Sequence, residues 1–148
     1  MAASTRQAGL VGQMGIDAFV TGNDEVENEL HRQFGSAPDI VLECSGAPGL
    51  LNRAMRLARR GGTVCSMGFC QPHDTVSPVL GLSQDVDLVF SMTYTRREFE
   101  LAVDAFDKGE TAPGSMITDT IGLSAVPAMF AALAGRTHHC KVHIDPSR

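Results

Sequence analysis

The chain has 148 residues, a length that normally supplies one domain with a single hydrophobic core. Hydrophobic residues make up 43% of it and charged residues 20%, a globular composition that excludes a disordered chain. The net charge of −5 argues against a nucleic-acid-binding protein, because phosphate contacts need a basic surface. No apolar run approaches the roughly 20 residues that span a bilayer, and the N-terminus lacks a signal-peptide pattern. We therefore expect a cytoplasmic protein without nucleic-acid or membrane partners.

The N-terminal part of the chain predicts a helix, a short strand and a second helix. The first helix ends at Gly15, the buried strand covers Asp17–Val20, and the second helix lies between Asp24 and Gly35. Each helix begins with a capping box, in which Ser4 or Asp24 is followed three residues later by Gln or Glu.

Two continuous apolar runs follow, Asp39–Cys44 and Thr63–Phe69. Such runs are typical of strands that are buried on both faces of a parallel sheet. The segment between them predicts a helix that begins at Leu50, holds Arg59 and Arg60 in its last turn and is stopped by Gly61-Gly62. A polar loop from Cys70 to Pro78 and a short apolar patch then lead to a third strand, Val86–Met92. The alternation of strand and helix predicts an α/β fold with helices covering a parallel sheet.

The last third of the chain begins with an amphipathic helix that is capped by Thr95 and ends at Gly109. Its four apolar residues, which we expect to face the core, are Phe99, Ala102, Val103 and Phe106. An extended segment at Met116–Ile121, a helix capped by Ser124 and a strand at Lys141–Ile144 complete the chain. We predict one incomplete domain over residues 1–148, with βα units in 1–109 and a strand-helix-strand tail in 110–148.

Cysteine and histidine residues give little support to a metal site. The cysteines, Cys44, Cys65, Cys70 and Cys140, do not show CxxC spacing, so we expect free thiols in a reducing compartment. On a strand, His139 and His143 would share a face with Lys141 between them, and its charge would repel a cation. The histidines therefore predict a polar connection rather than a ligand set, and no catalytic or metal-binding residue is assigned.

Four stretches, in order, resemble the zinc-dependent alcohol dehydrogenases, also called medium-chain dehydrogenases. They are MGIDAFV at 14–20, DIVLECSGAPGLLNRAMRLARRGGTVCSMGF at 39–69, FSMTYTRREFELAVDAFDKGE at 90–110 and AVPAMFAALAGRTHHCKVHIDP at 125–146. The resemblance implies a partial Rossmann fold, doubly wound around a mainly parallel sheet, without its first strand and Gly-rich turn. It also implies NAD(P) as cofactor, bound at the carboxyl ends of the strands.

The resemblance assigns the cofactor contacts to three strand ends, a basic residue for the pyrophosphate and one arginine near the N-terminus. These residues are Cys44, Ser45, Gly46, Met67, Gly68, Phe69, Phe90, Ser91, Met92, Lys141 and Arg6. Arg6 stands with two hydroxyl residues where the family carries its ribose-binding acid, which weakly favours NADP over NAD. The alternatives are ordinary strand-end turns at Ser45-Gly46 and Gly68, and solvated side chains at Lys141 and Arg6.

The sequence departs from the family in two places. It contains no G-x-G-x-x-G turn and no counterpart of the domain that supplies the family's catalytic zinc ligands. We therefore expect the cofactor-binding portion of an alcohol dehydrogenase-like oxidoreductase that is not catalytic alone. The alternatives are a non-catalytic nucleotide-binding or interaction module, or an inert truncated remnant.

The family's strand order, 3-2-1-4-5-6, leaves one edge of Asp39–Cys44 without a neighbour in this chain. An uncovered apolar edge is a pairing site. We therefore expect marginal folding, a homodimer, or dependence on a complementary N-terminal fragment.

Overall fold

The computed structural model describes residues 8–22, 25–70, 73–111, 113–135 and 137–148. In chain order its elements are α1 (Ala8–Gln13), α2 (Val26–Phe34), β1 (Ile40–Glu43), α3 (Leu50–Leu57), β2 (Thr63–Ser66), α4 (Pro78–Gln84), β3 (Asp87–Phe90), α5 (Arg96–Asp107), β4 (Ile117–Ile121), α6 (Val126–Leu133) and β5 (Lys141–Ile144). Two 3-10 turns, Pro113–Met116 and Leu123–Ala125, precede β4 and α6. The chain divides into two compact units, Asp24–Tyr94 and Met1–Asn23 with Thr95–Arg148.

The Asp24–Tyr94 unit is built on a parallel sheet of order β1-β2-β3. The register aligns Val41, Val64 and Leu88 on one face, and α3 packs against that face. Leu51 and Met55, four residues apart on α3, are buried there over the fully buried Val64. The predicted α/β fold with a parallel sheet is confirmed.

The opposite face of this sheet is open to solvent. The register aligns Leu42, Cys65 and Val89 there, and both Leu42 and Val89 are exposed. Ile40 is 62% exposed on the same face. The prediction that Asp39–Cys44 is buried on both faces is therefore wrong, because β1 lies at the edge of the sheet and α3 covers only the other face.

The second unit contains α1, α5, α6 and a parallel pair, β4 and β5, whose register shifts between Ile117 and Asp119. Both strands and the Thr95-capped helix confirm the predictions for this region. No residue of α5 is buried, and Phe99 is 56% exposed. The prediction that its apolar residues face the core is wrong, because periodicity shows that a helix has an apolar face but not that anything covers it.

Two local predictions are also corrected. Asp17–Val20 forms no strand, since the described strands pair only within β1–β3 and β4–β5, and a strand needs a neighbour for its backbone groups. The apolar patch before β3, for which the sequence predicted no element, forms α4, whose Pro78 suits a first helical turn. Ser124 lies in a 3-10 turn, and Ala125 is the N-cap of α6. The N-caps predicted at Ser4 and Asp24 lie outside the described residues.

Candidate functional site

The three strands of the Asp24–Tyr94 unit end at the same level. Glu43, Ser66 and Phe90 are neighbours across the sheet, so the segments that follow them leave from one edge. The backbone amides of Met67 and Gly68 both donate to the Glu43 carbonyl at 2.8 Å, and the Ser91 amide donates to the Ser66 carbonyl at 3.0 Å. The structure thus brings together the three strand ends named from the sequence. In open α/β sheets, ligands bind at this edge.

The first two turns touch each other through their backbones. A Cβ atom added to Gly68 would lie 2.1 Å from the Gly46 nitrogen and 2.7 Å from its Cα. A Cβ atom added to Gly46 would lie 2.5 Å from the Phe69 carbonyl oxygen, and Gly46 has a left-handed φ of +65°. Both positions therefore need glycine, one for space and the other for space and conformation.

The side chain of Glu43 lies beneath this crossing. Glu43 is only 8% exposed, and its Oε1 accepts hydrogen bonds from the amides of Ser45 at 2.8 Å and Gly46 at 2.9 Å. A buried carboxylate is costly unless such donors satisfy it. The sequence-based interpretation missed Glu43 by counting it as part of an apolar strand. An acidic residue at the end of such a run, directly before a Ser-Gly turn, is the signal that could have identified it.

Apolar and hydroxyl side chains surround the crossing on the solvent side. Phe69 and Phe90 are 72% and 71% exposed, and Met67 and Met92 are exposed as well. Three small side chains at the same strand ends also face solvent: Cys44, Ser45 and Ser91. The edge therefore offers flat apolar surface together with hydroxyl groups.

Of the two basic residues assigned from the resemblance, the structure describes one, Lys141. Lys141 is the exposed first residue of β5, in the other unit, and its carbonyl accepts a hydrogen bond from the Thr118 hydroxyl at 3.1 Å. Arg6 lies outside the described residues.

The described donor atoms do not fit a catalytic zinc. Over the described ranges no three His, Cys, Asp or Glu side chains are grouped to hold a metal ion, and all four cysteines are free thiols. The buried Nδ1 of His139 has no hydrogen-bond partner among the described residues, and the centroid of its ring lies 4.1 Å from that of His138. None of the described helices is long and apolar enough to cross a membrane.

Comparison with known proteins finds relatives among dehydrogenases. The chain is 22% identical over 129 residues to the starvation-sensing protein RspB of Escherichia coli (strain K12). The aligned region covers 86% of this chain and 38% of that protein. The structure of a short chain alcohol dehydrogenase (rspB) from E. coli CFT073, complexed with NADH, superposes with a TM-score of 0.82 at 20% identity, covering 95% of this chain and 42% of that one.

A protein from Sinorhizobium meliloti 1021 that is assigned to the zinc-binding dehydrogenases and bound to NADP superposes with a TM-score of 0.83 at 23% identity. The match covers 98% of this chain and 44% of that one. The chain thus spans about 40% of the length of the relatives it matches. These superpositions establish a Rossmann-like fold.

The family model described as zinc-binding dehydrogenase matches residues 1–108, which is well over half of the chain. This range contains all three strand ends of the candidate site. The chain is therefore a member of the zinc-binding dehydrogenase family, homologous to the NAD(P)-binding domain of alcohol dehydrogenase-like oxidoreductases.

Proposed function

We propose that the chain binds a nicotinamide dinucleotide at the turns that follow β1, β2 and β3. The observation that carries the proposal is the backbone contact between Gly46 and Gly68 at the carboxyl ends of two adjacent parallel strands. This is the edge at which open α/β sheets bind nucleotides. Solved relatives with the same fold hold NADH in one case and NADP in another, which supports the same ligand class here.

The side chains at this edge suit the chemistry of the nicotinamide half. Exposed Phe69, Phe90 and Met92 offer apolar surface to a flat ring, while the hydroxyls of Ser45 and Ser91 offer hydrogen bonds to ribose or carboxamide groups. Lys141 supplies the cation for the pyrophosphate, a role that rests on the family resemblance and on the attraction between an ammonium group and phosphate.

The reaction of the whole protein is a hydride transfer between NAD(P) and an alcohol or ketone. The bound nicotinamide supplies the hydride acceptor or donor. Residues of this chain bind and orient that ring. We assign no catalytic residue and no zinc ligand to them.

Two finer assignments complete the proposal. Arg6, which stands beside Ser4 and Thr5 in the sequence, contacts the 2′-phosphate of NADP and weakly favours it over NAD. The exposed apolar face of the sheet, which includes Ile40 and Leu42, supports a protein partner, either a second copy of this chain or a complementary N-terminal fragment.

Titration of the purified chain with NADPH and NADH tests the proposal. The chain lacks tryptophan, so the fluorescence of the reduced nicotinamide can be followed directly. We expect saturable binding of both cofactors, with NADPH the tighter. Replacement Arg6→Ser should weaken NADPH and leave NADH unchanged, whereas Arg97→Ser on α5 should alter neither.

Absence of binding at millimolar cofactor would overturn the proposal. The chain would then be an interaction module or an inert remnant of the same family. Equal affinity for both cofactors, unchanged by Arg6→Ser, would refute the 2′-phosphate contact alone.

A further inference from the structure

We propose that the Glu43 carboxylate is a positioning residue, which holds the first two turns of the cofactor site in the geometry that receives the dinucleotide. The inference rests on the proposed function and extends it to a residue outside the strand-end turns. Glu43 need not touch the cofactor. It acts through the backbone of the residues that do.

The first argument is the way in which the carboxylate is buried. Glu43 is only 8% exposed, and charged side chains are seldom so deeply buried. A carboxylate buried in this way requires hydrogen-bond donors. Glu43 receives two of them, the consecutive amides of Ser45 and Gly46, on a single oxygen. Hydrogen bonds to a charged acceptor are roughly twice as strong as neutral ones. The conformation of the first turn, including the left-handed φ of Gly46, is therefore tied to this side chain.

The second argument is that the same residue also holds the second turn. The Glu43 carbonyl accepts the amides of Met67 and Gly68, each at 2.8 Å. A Cβ atom on Gly68 would lie 2.5 Å from the second carboxylate oxygen, Oε2, so the second turn packs directly on the carboxylate. Side chain and main chain of one residue thus fix four amides in two turns, and with them the contact between Gly46 and Gly68.

The third argument is a contrast with Asp74, another carboxylate of this unit that accepts backbone amides. Both Asp74 oxygens lie 2.9 Å from the amide of Gly49, the N-cap of α3, and one accepts the Thr75 amide at 2.8 Å. The hydrogen bonds of Asp74 connect its own loop to the start of α3. They do not connect the two strand-end turns to each other. Asp74 is therefore the matched control for the loss of a carboxylate that caps backbone donors.

The test compares Glu43→Gln with Glu43→Met. The two replacements have similar length, and only glutamine retains an oxygen acceptor. We expect Glu43→Met to weaken NADPH and NADH binding about tenfold or more and Glu43→Gln to remain within a few-fold of the original chain. Amide hydrogen exchange should accelerate at Ser45 and Gly46 in the methionine variant while Val64, in the core of β2, stays protected. Asp74→Leu, which removes the acceptor there as methionine does at Glu43, should leave both affinities unchanged.

Several outcomes would overturn the inference. Equal affinity of Glu43→Met and the original chain would show that the carboxylate does not position the turns. Equal losses in the glutamine and methionine variants, or a similar loss in Asp74→Leu, would show a general loosening of the unit. If Glu43→Met does not fold, Glu43→Asp, which withdraws the same carboxylate by one methylene, replaces it and must weaken binding.

If the original chain binds no dinucleotide, the proposed function fails, whereas the exchange rates of Ser45 and Gly46 still decide whether Glu43 holds the turns. The two failures are therefore distinguishable.

Discussion

Gly68 has no space for a side chain. The atoms nearest to a Cβ at this position are the nitrogen and Cα of Gly46, which are backbone, and Oε2 of Glu43, whose other carboxylate oxygen is held by the amides of Ser45 and Gly46. Relief of a clash with such atoms must move one of the turns. A side chain at Gly68 would therefore change the geometry of the proposed cofactor site.

Replacement Gly68→Ala should therefore destabilise the chain. We expect the free energy of unfolding to fall by about 1–3 kcal/mol, the usual cost of overpacking, with weaker dinucleotide binding. Urea unfolding and cofactor titration measure the two effects. The control is Gly81→Ala within α4, where nothing lies within 4 Å and an alanine should raise stability by about 0.5–1 kcal/mol. A Gly68→Ala variant as stable as the original chain would contradict the crowding.

At this scale the sequence predicted part of the site. The turns at Ser45-Gly46 and Gly68 were identified, because small residues after an apolar run indicate a strand end. The contact between the turns and the role of Glu43 could not be predicted. Both depend on pairing between β1 and β2, and a single sequence does not show which carboxylate will lie beneath which amides.

Among the elements, α5 has the most complete helix start. The Thr95 hydroxyl accepts a hydrogen bond from the Glu98 amide, and the Glu98 carboxylate accepts from the Thr95 amide at 2.6 Å. These bonds form the capping box that the sequence predicted. The bonds from the Thr95 amide, and then from its hydroxyl, lower the pKa of Glu98 below its ordinary value of 4.5.

The start of α5 should loosen in acid. Because the folded-state pKa of Glu98 is lowered, the box contributes fully above pH 4.5, and its contribution is lost as the pH falls through the lowered value. We expect faster amide hydrogen exchange at Thr95 and Glu98 over that window. Glu98→Gln keeps an acceptor but cannot titrate, so the acid-dependent change should vanish. A change that persists in Glu98→Gln would assign the effect to another group, such as Asp145, whose pKa is lowered by Ser147.

The sequence largely predicted where helices and strands lie along the chain. It did not predict which of their faces are covered by other elements. Thr63–Ser66 and Asp87–Phe90 formed where apolar runs placed strands, and Gly35 ends α2 in a left-handed conformation as expected. Asp17–Val20 did not form a strand, since strand formation depends on a pairing partner rather than on composition alone. Burial of β1 and α5 likewise depends on what packs against them.

Across the whole molecule, apolar surface is exposed in both units. In the Asp24–Tyr94 unit it includes Ile40 and Leu42 on the open face of an edge strand, and in the other unit it includes Phe99 and Phe130. Large exposed apolar areas are typical of interaction surfaces or of proteins that aggregate. Dependence on a partner, which the sequence led us to expect, stays a prediction.

We therefore expect the isolated chain to associate as its concentration rises. Sedimentation velocity over a hundredfold concentration range measures the oligomeric state. Replacement Leu42→Lys places a charge on the open face of β1 and should shift the chain towards monomer. The same added charge at Gln33→Lys, on the exposed surface of α2, should have no effect. A monomer at all concentrations with one sharp unfolding transition would refute the expectation.

The parallel register of the three-stranded sheet also bears on how the chain folds. Ile40 pairs with Thr63, and Thr63 pairs with Asp87, so more than twenty residues separate the partners in each case. Because the strands are parallel, no β-hairpin can nucleate this sheet, and each strand pairing must first close a long loop. Until β2 is available, the edge of β1 that faces it keeps its backbone groups unpaired. For that interval this edge can pair with other chains or bind chaperones, so the long loop between the two strands is a period in which the sheet can misfold.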